Sequence, residues 1–201
     1  ESPIVDVQSS QTVRTIDSEV FAGIPSSRGY AAVTVLMPGI NAQGADVGGV
    51  AGNAFSVFQA HGGRRNEGQV QINGLSIGWQ GMGVSGYAPE VGSAQEISVQ
   101  VTGGLGEAGT GGPQMNLIPR EGGNSFRGSL LTNWAGEGWQ GSNLTDAQKT
   151  LGLRETNKLV KTWDVNPMFG GPLKRDRLWF FLTARHFVTK NTVAGIFINK
   201  N

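Results

Sequence analysis

The feature that most constrains this chain is alternation at strand length. Phe126, Gly128, Leu130, Thr132 and Trp134 alternate with Arg127, Ser129 and Asn133, and Leu131 is the exception. Successive side chains of a strand point to opposite faces, so such a segment has one apolar and one polar side. Trp163, Val165 and Phe169, set against Thr162, Asp164 and Asn166, repeat the pattern. A third segment, 178–189, carries Trp179, Phe180, Phe181 and Phe187. A run of about 10 residues of this kind has the dimensions of a membrane-barrel strand. The pattern fits a piece of an ordinary β-sandwich equally well. Trp134, Trp139, Trp163 and Trp179 are four of the five tryptophans, and aromatic residues near strand ends suit a membrane interface.

Ahead of Gly123 the texture differs. The 32 glycines among 201 residues are more than twice the usual share of roughly 7%. With 38% hydrophobic residues, the composition predicts a loop-rich β protein without a generous core. Asp17-Ser18-Glu19 marks a helix start, with Ile16, Val20 and Ile24 at helical spacing before Pro25. A second helix follows Pro25-Ser26-Ser27, with Tyr30, Val33, Leu36 and Met37 on one face and Pro38-Gly39 as its stop. Residues 40–58 read as one long glycine-rich loop. Val70-Gln71-Ile72, the turn pair Asn73-Gly74 and Leu75-Ser76-Ile77 predict a hairpin. The loop 78–92 displays Trp79, Met82 and Tyr87. Ile97, Val99 and Val101 alternate with Ser98, Gln100 and Thr102 as a half-buried strand, and 115–118 forms a shorter one. Within the hydrophilic stretch 136–158, Thr145 and Gln148 fit a capping box.

Charge divides at the same place. Residues 1–123 hold five arginines, no lysine and ten acids; residues 124–201 hold eleven basic and five acidic residues. This asymmetry predicts two regions in different surroundings. Neither half has the clustered basic face of a nucleic-acid binder, so no nucleic-acid partner is expected. The absence of cysteine excludes disulfides, thiolate metal sites and cysteine nucleophiles. No apolar run approaches the ~20 residues of a membrane-spanning helix. The chain begins at Glu1 with no visible signal peptide, and we expect a processed or trimmed product.

Few motifs carry chemistry. Gly104-Leu105-Gly106-Glu107-Ala108-Gly109 is a literal GxGxxG after a strand, but Thr110-Gly111-Gly112-Pro113 cannot open the helix that a dinucleotide site needs. His61 and His186 have no partner at a metal-ligand spacing, and no nucleophile-elbow sequence occurs. We therefore expect no enzyme activity, cofactor or metal. Arg64-Arg65 reads either as an anion site or, more simply, as salt bridges to a packed neighbour. Trp79 and Tyr87 read equally as ligand contacts or as anchors of their own loop.

Taken in order, four stretches resemble the plug domain of a TonB-dependent outer-membrane receptor of the Oar-like group. They are Ile24-Pro25-Ser26-Ser27-Arg28 with Leu36-Met37-Pro38-Gly39; His61-Gly62-Gly63-Arg64 with Gln71-Ile72-Asn73-Gly74; Glu96-Ile97-Ser98-Val99 through Gly106, Gly111-Gly112 and Asn116 to Gly122-Gly123-Asn124-Ser125-Phe126-Arg127-Gly128; and Gly170-Gly171-Pro172-Leu173 with Asp176-Arg177-Leu178-Trp179-Phe180-Phe181. The chain departs from the pattern at Pro113 and Pro119, where the family has strand residues, and in the usual basic residue before Gly-Gly-Asn, which is displaced to Arg120. No convincing TonB box is present, residues 2–7 being a poor match.

The resemblance implies an α+β fold in two parts. Residues 1–124 would be a plug, a small mixed sheet with short helices and long glycine-rich loops. Residues 125–201 would be the first three antiparallel strands of an outer-membrane β-barrel whose 22-stranded family wall is otherwise absent, so a fragment of a longer chain is expected. Segment 136–158 would be an outer loop and 170–177 a periplasmic turn. The implied function is gating of energy-coupled uptake of a bulky, scarce solute across the outer membrane of a Gram-negative bacterium. The alternative is a non-transporting structural or adhesive β protein in a larger surface assembly. Implied partners are the TonB complex through the N-terminal segment, the remainder of the barrel, outer-membrane lipid and an unidentified solute. Trp79, Gln80 and Tyr87 are the candidate ligand contacts. Arg64, Arg65, Glu96 and Arg120 are the candidate plug–barrel contacts.

Overall fold

The architecture comes from a computed structural model, which describes residues 12–24, 29–42, 57–64, 66–78, 91–102, 109 and 111–196. In chain order its first part runs β1 (Thr12–Asp17), α1 (Ser18–Gly23), α2 (Tyr30–Val35), β2 (Ile40–Ala42), β3 (Phe58–Ala60), β4 (Gln69–Ile72), β5 (Leu75–Ser76), β6 (Ala94–Thr102) and β7 (Gln114–Pro119). Five of these strands form one mixed sheet in the order β1-β6-β7-β4-β5, in which only the β4–β7 pair is parallel. Alternation along β6 puts Ile97, Val99 and Val101 on the buried side. Met115 and Leu117 of β7 and Val70 of β4 continue that surface, and α1 and α2 cover it with Phe21, Tyr30, Val33 and Met37.

The expected hairpin is β4–β5, closed by Asn73 and Gly74 at φ 49° and 78°. Two positive φ values in succession are what a type I′ turn demands. Two expectations change. Residues 40–58 are not all loop, because β2 and β3 pair antiparallel from Ile40–Ala60 to Ala42–Phe58; three residues apiece are too few for a period to show. The helix faces also differ. Phe21, not Val20, is buried in α1, and Val20 is 51% exposed, because Ile16 belongs to β1 and the six-residue helix starts only at Ser18. Leu36 is exposed because α2 has already ended at Val35.

The second part comprises β8 (Arg127–Gly136), α3 (Asp146–Thr150), β9 (Lys158–Lys174), β10 (Leu178–Thr183) and β11 (His186–Thr192). β9 is central, with β8 along one edge and β10 followed by β11 along the other, all antiparallel. The Ala184 N–H donates to the Pro167 carbonyl (3.1 Å), so one register runs through the break between β10 and β11. Together they occupy the third strand expected over 178–189, which is broken at Ala184–Arg185 and runs on to Thr192. Among the described residues the sheet does not close on itself. In α3 both halves of the capping box form: the Gln148 N–H donates to Thr145 Oγ1 (3.3 Å) and the Thr145 N–H to Gln148 Oε1 (2.9 Å).

β9 is longer than the sequence pattern implies, continuing through Gly170-Gly171-Pro172 and leaving only Arg175–Arg177 for the turn. Proline is tolerated there because β8 begins opposite Gly170, and past that point, among the described residues, the second edge of β9 has no strand partner whose hydrogen bond Pro172 would break.

Polarity in this sheet is inverted relative to the first. Thr162, Asp164, Asn166 and Met168 on one face of β9 are buried, Asn166 completely. The opposite face joins Trp163, Val165 and Phe169 to Leu130 and Trp134 of β8 and to Leu182 of β10. There Leu130 is 66%, Trp134 60% and Leu182 65% exposed.

Candidate functional site at the junction of the two sheets

The chain leaves β7 through Arg120-Glu121-Gly122-Gly123-Asn124 and enters β8 at Arg127. Asn124 fixes this passage. Its Nδ2 donates to Asp176 Oδ1 (2.6 Å), and its Oδ1 accepts from the Asp176 N–H (2.9 Å) and from Trp179 Nε1 (2.7 Å). Asp176 sits in the left-handed region at φ 59° at the centre of the β9–β10 turn. One amide thus ties the exit from the first sheet to a turn of the second.

Glycine makes the approach close enough. A Cβ on Gly122 would run into the Phe180 carbonyl oxygen, and one on Gly171 into the Phe126 ring. Phe126 lies parallel to Phe169 at 5.7 Å between ring centroids and tilts against Phe180 at 6.5 Å. The Gly-Gly-Asn-Ser-Phe and Gly-Gly-Pro-Leu…Asp-Arg-Leu-Trp-Phe stretches are therefore the two halves of one joint.

Above the joint a cleft of about 500 Å³ opens between the sheets, lined by Ser18, Gln95, Arg120, Asn124, Arg127 and Phe181 among others. Arg120 borders it, with its N–H donating to the Ser93 carbonyl (2.9 Å) and its Nε to that of Ala94 (3.3 Å). A second cleft, about 270 Å³, separates Phe21, Val91 and Arg120 from Ser129, Leu131 and Met168. On the buried face of the second sheet Arg185 grips Asp164, with Nη2 2.7 Å from Oδ2 and Nε 3.1 Å from Oδ1. The two side chains are only 10% and 5% exposed, and the Arg185 guanidinium also lies 5.1 Å from the Phe187 ring centroid.

Of the residues expected from sequence to touch the barrel, Arg120 lies in the cleft between the sheets. Glu96 is half-buried within β6, opposite Asp17 and Ile118. Arg64 is exposed beyond β3, where its N–H donates to Glu67 Oε2 (3.4 Å). Arg65 and the candidate ligand contacts Trp79, Gln80 and Tyr87 lie outside the described residues, as do residues 2–7. Sequence reading missed Asn124, Asp176 and Trp179 as a unit, and Asp164 with Arg185. Each residue stands in a noticed segment, but only strand register brings the partners together. Among the described residues no group of three His, Cys, Asp or Glu is placed to hold a metal.

A mixed, helix-covered sheet joined through a glycine–asparagine passage to antiparallel strands of inverted polarity resembles the plug and opening barrel strands of TonB-dependent receptors, with the second sheet not closed into a barrel among the described residues. The comparisons with known proteins agree. The chain is 26% identical over 190 residues to the TonB-dependent transporter Oar of Myxococcus xanthus, a match covering 89% of this chain and 17% of that relative's length. Its fold is similar to the siderophore receptor PirA from Acinetobacter baumannii (TM-score 0.61, 17% identity). It is also similar to a variant of the ferric enterobactin receptor PfeA from Pseudomonas aeruginosa (TM-score 0.59, 19% identity). Each structural match covers 88% of this chain and 24% of the receptor. These proteins are named as transporters and receptors, none as an enzyme. No family model matches the chain.

Proposed function

We propose that residues 1–124 are the plug of an outer-membrane receptor in a Gram-negative bacterium, that 125–201 begin its barrel, and that the plug gates energy-coupled uptake of a bulky, scarce solute. The reading rests on the inverted polarity of the second sheet. A sheet with exposed leucine and tryptophan on one face and a buried ion pair on the other is suited to hydrocarbon outside and a polar lumen inside. The first sheet, joined to it at Asn124, fills such a lumen.

Outside the helix-covered core, the burial of the first sheet is thin. β1 is exposed along almost its whole length and, among the described residues, pairs only with β6. Elements with few buried apolar contacts open at low free energy, which suits a plug that has to shift when TonB draws on the segment before Thr12. Solute captured from outside, with Trp79, Gln80 and Tyr87 as contacts, would bias that segment toward TonB. Arg120, and with it Arg64, Arg65 and Glu96, would hold the plug against the wall. The names of PirA and PfeA make an iron-carrying siderophore one candidate solute class.

Excision of residues 12–122 from the whole receptor tests the gate. Cells carrying the excised receptor in the outer membrane should become sensitive to vancomycin, which the intact receptor excludes. Unchanged resistance with the barrel inserted would show that these residues do not close a pore.

A further inference from the structure

Register places an unusual pair at one end of the apolar face. Lys161 of β9 and Lys190 of β11 are direct cross-strand partners. They lie on the same side as Trp163 and Val188, and both are exposed. Like charges directly opposite one another destabilise a sheet. Among the described residues neither lysine makes an ion pair, and Glu137, Asp146 and Glu155 of the nearby loop do not reach them.

The next row down is aromatic and apolar. Trp134, Trp163 and Val188 are cross-strand neighbours, and Trp139 meets Trp134 edge-on at 4.9 Å between centroids. From Lys161 the same face of β9 continues through Trp163, Val165, Pro167, Phe169 and Gly171 to Leu173, ahead of the charged turn Arg175–Arg177. Twelve residues at about 3.3 Å each, tilted roughly 40°, rise about 30 Å. The uncharged stretch inside that span matches the ~25 Å apolar band of an outer-membrane barrel. The lysine pair therefore stands at the outer edge of the band, directly above a tryptophan row.

We propose that Lys161 and Lys190 form a docking site for the phosphate of an outer-leaflet lipid, whose acyl chains lie over Trp163, Val165 and Val188. The proposal rests on the barrel reading above. Charge complementarity selects an anion, since one phosphate between the two ammonium groups turns their repulsion into two charge-assisted bonds. The apolar row beneath selects an amphiphile over a soluble ion, because Trp134 and its neighbours offer hydrocarbon contact that a bare phosphate leaves unused.

The test uses the whole receptor in detergent, with phosphorylated and dephosphorylated lipid A as probes and bound lipid measured by native mass spectrometry. K161Q/K190Q should retain roughly tenfold less phosphorylated lipid A, with no change for the dephosphorylated form, and K161R/K190R should retain the lipid like the parent. Equal retention of phosphorylated lipid A by parent and K161Q/K190Q overturns the site. So does displacement of the lipid by millimolar inorganic phosphate, which would make it a simple anion site. A receptor that inserts into vesicles but fails these arms leaves the barrel reading standing. One that does not insert removes both.

Discussion

In the first sheet Ile97, Val99 and Met115 are sealed from solvent while Ser98, Gln100 and Asn116 on the same strands remain half-open. In the second, Asp164 and Asn166 are sealed while Leu130, Phe169 and Leu182 are not. Both sheets alternate with a period of two, so alternation reports that the faces differ and not which face is covered. The first arrangement is stable against water. The second leaves a contiguous apolar face, which in a soluble monomer marks a surface awaiting an apolar neighbour. On the barrel reading proposed above that neighbour is lipid, and the covered polar face belongs to the lumen.

The sharpest way to break this contrast is at the buried ion pair. Asp164→Ala leaves the Arg185 guanidinium without its carboxylate at a nearly solvent-free position, and breaking such a pair costs about 3–5 kcal/mol. The urea midpoint of the whole receptor in detergent should fall accordingly. Combining Asp164→Leu with Arg185→Met should recover most of the loss, because two apolar groups leave no stranded charge. A midpoint unmoved by Asp164→Ala would mean that the inner face is freely hydrated and that the two sheets differ less than their burial implies.

A paired substitution sharpens the same comparison from the apolar side. Met115→Ala in β7 removes a fully buried side chain and should cost about 3 kcal/mol, read as faster proteolysis of residues 12–122 and a lower midpoint. Leu130→Ala in β8 truncates an aliphatic side chain of comparable size on the exposed face and should cost under ~0.5 kcal/mol in detergent. Similar losses at both positions would contradict the inverted polarity.

The same contrast explains what was legible before any coordinates. The strands of the second sheet were, because a ten-residue alternating run reads as strand, although alternation alone fits a sandwich as well as a barrel. So were the β4–β5 hairpin and α3, where Asn73-Gly74 and the Thr145–Gln148 box encode local geometry in adjacent residues. The β2–β3 pair was not, since Ile40–Ala42 and Phe58–Ala60 recognise each other across fifteen intervening residues. Phe21 was hidden for a related reason: helical period is meaningless across the junction of β1 and α1. At the candidate site Arg120 could be singled out by its displacement from the family pattern. The joint could not, because Asn124 and Asp176 are 52 positions apart and only the meander of β8, β9 and β10 makes them neighbours.

That joint is where the two regimes meet, and its expected effect is smaller than those at Asp164 and Met115. Asn124→Ala deletes three hydrogen bonds, but all are exposed, so water replaces much of what is lost and the cost should be about 1–2 kcal/mol. The midpoint should fall only modestly. The turn itself is a better reporter, because Arg175 and Arg177 flank Asp176 and trypsin cleaves after both once the turn loosens. Asn124→Ala should accelerate cleavage there without exposing residues 12–122. Asn124→Asp should accelerate it further, since the replacement loses the Nδ2 donor and sets a second carboxylate against Asp176 Oδ1. If Asn124→Asp instead protects the turn, acceptance from the Asp176 N–H and Trp179 Nε1 dominates the joint and the Nδ2 bond contributes little. If neither variant changes cleavage, the close packing of Gly122 on Phe180 and of Gly171 on Phe126 holds the passage without the amide.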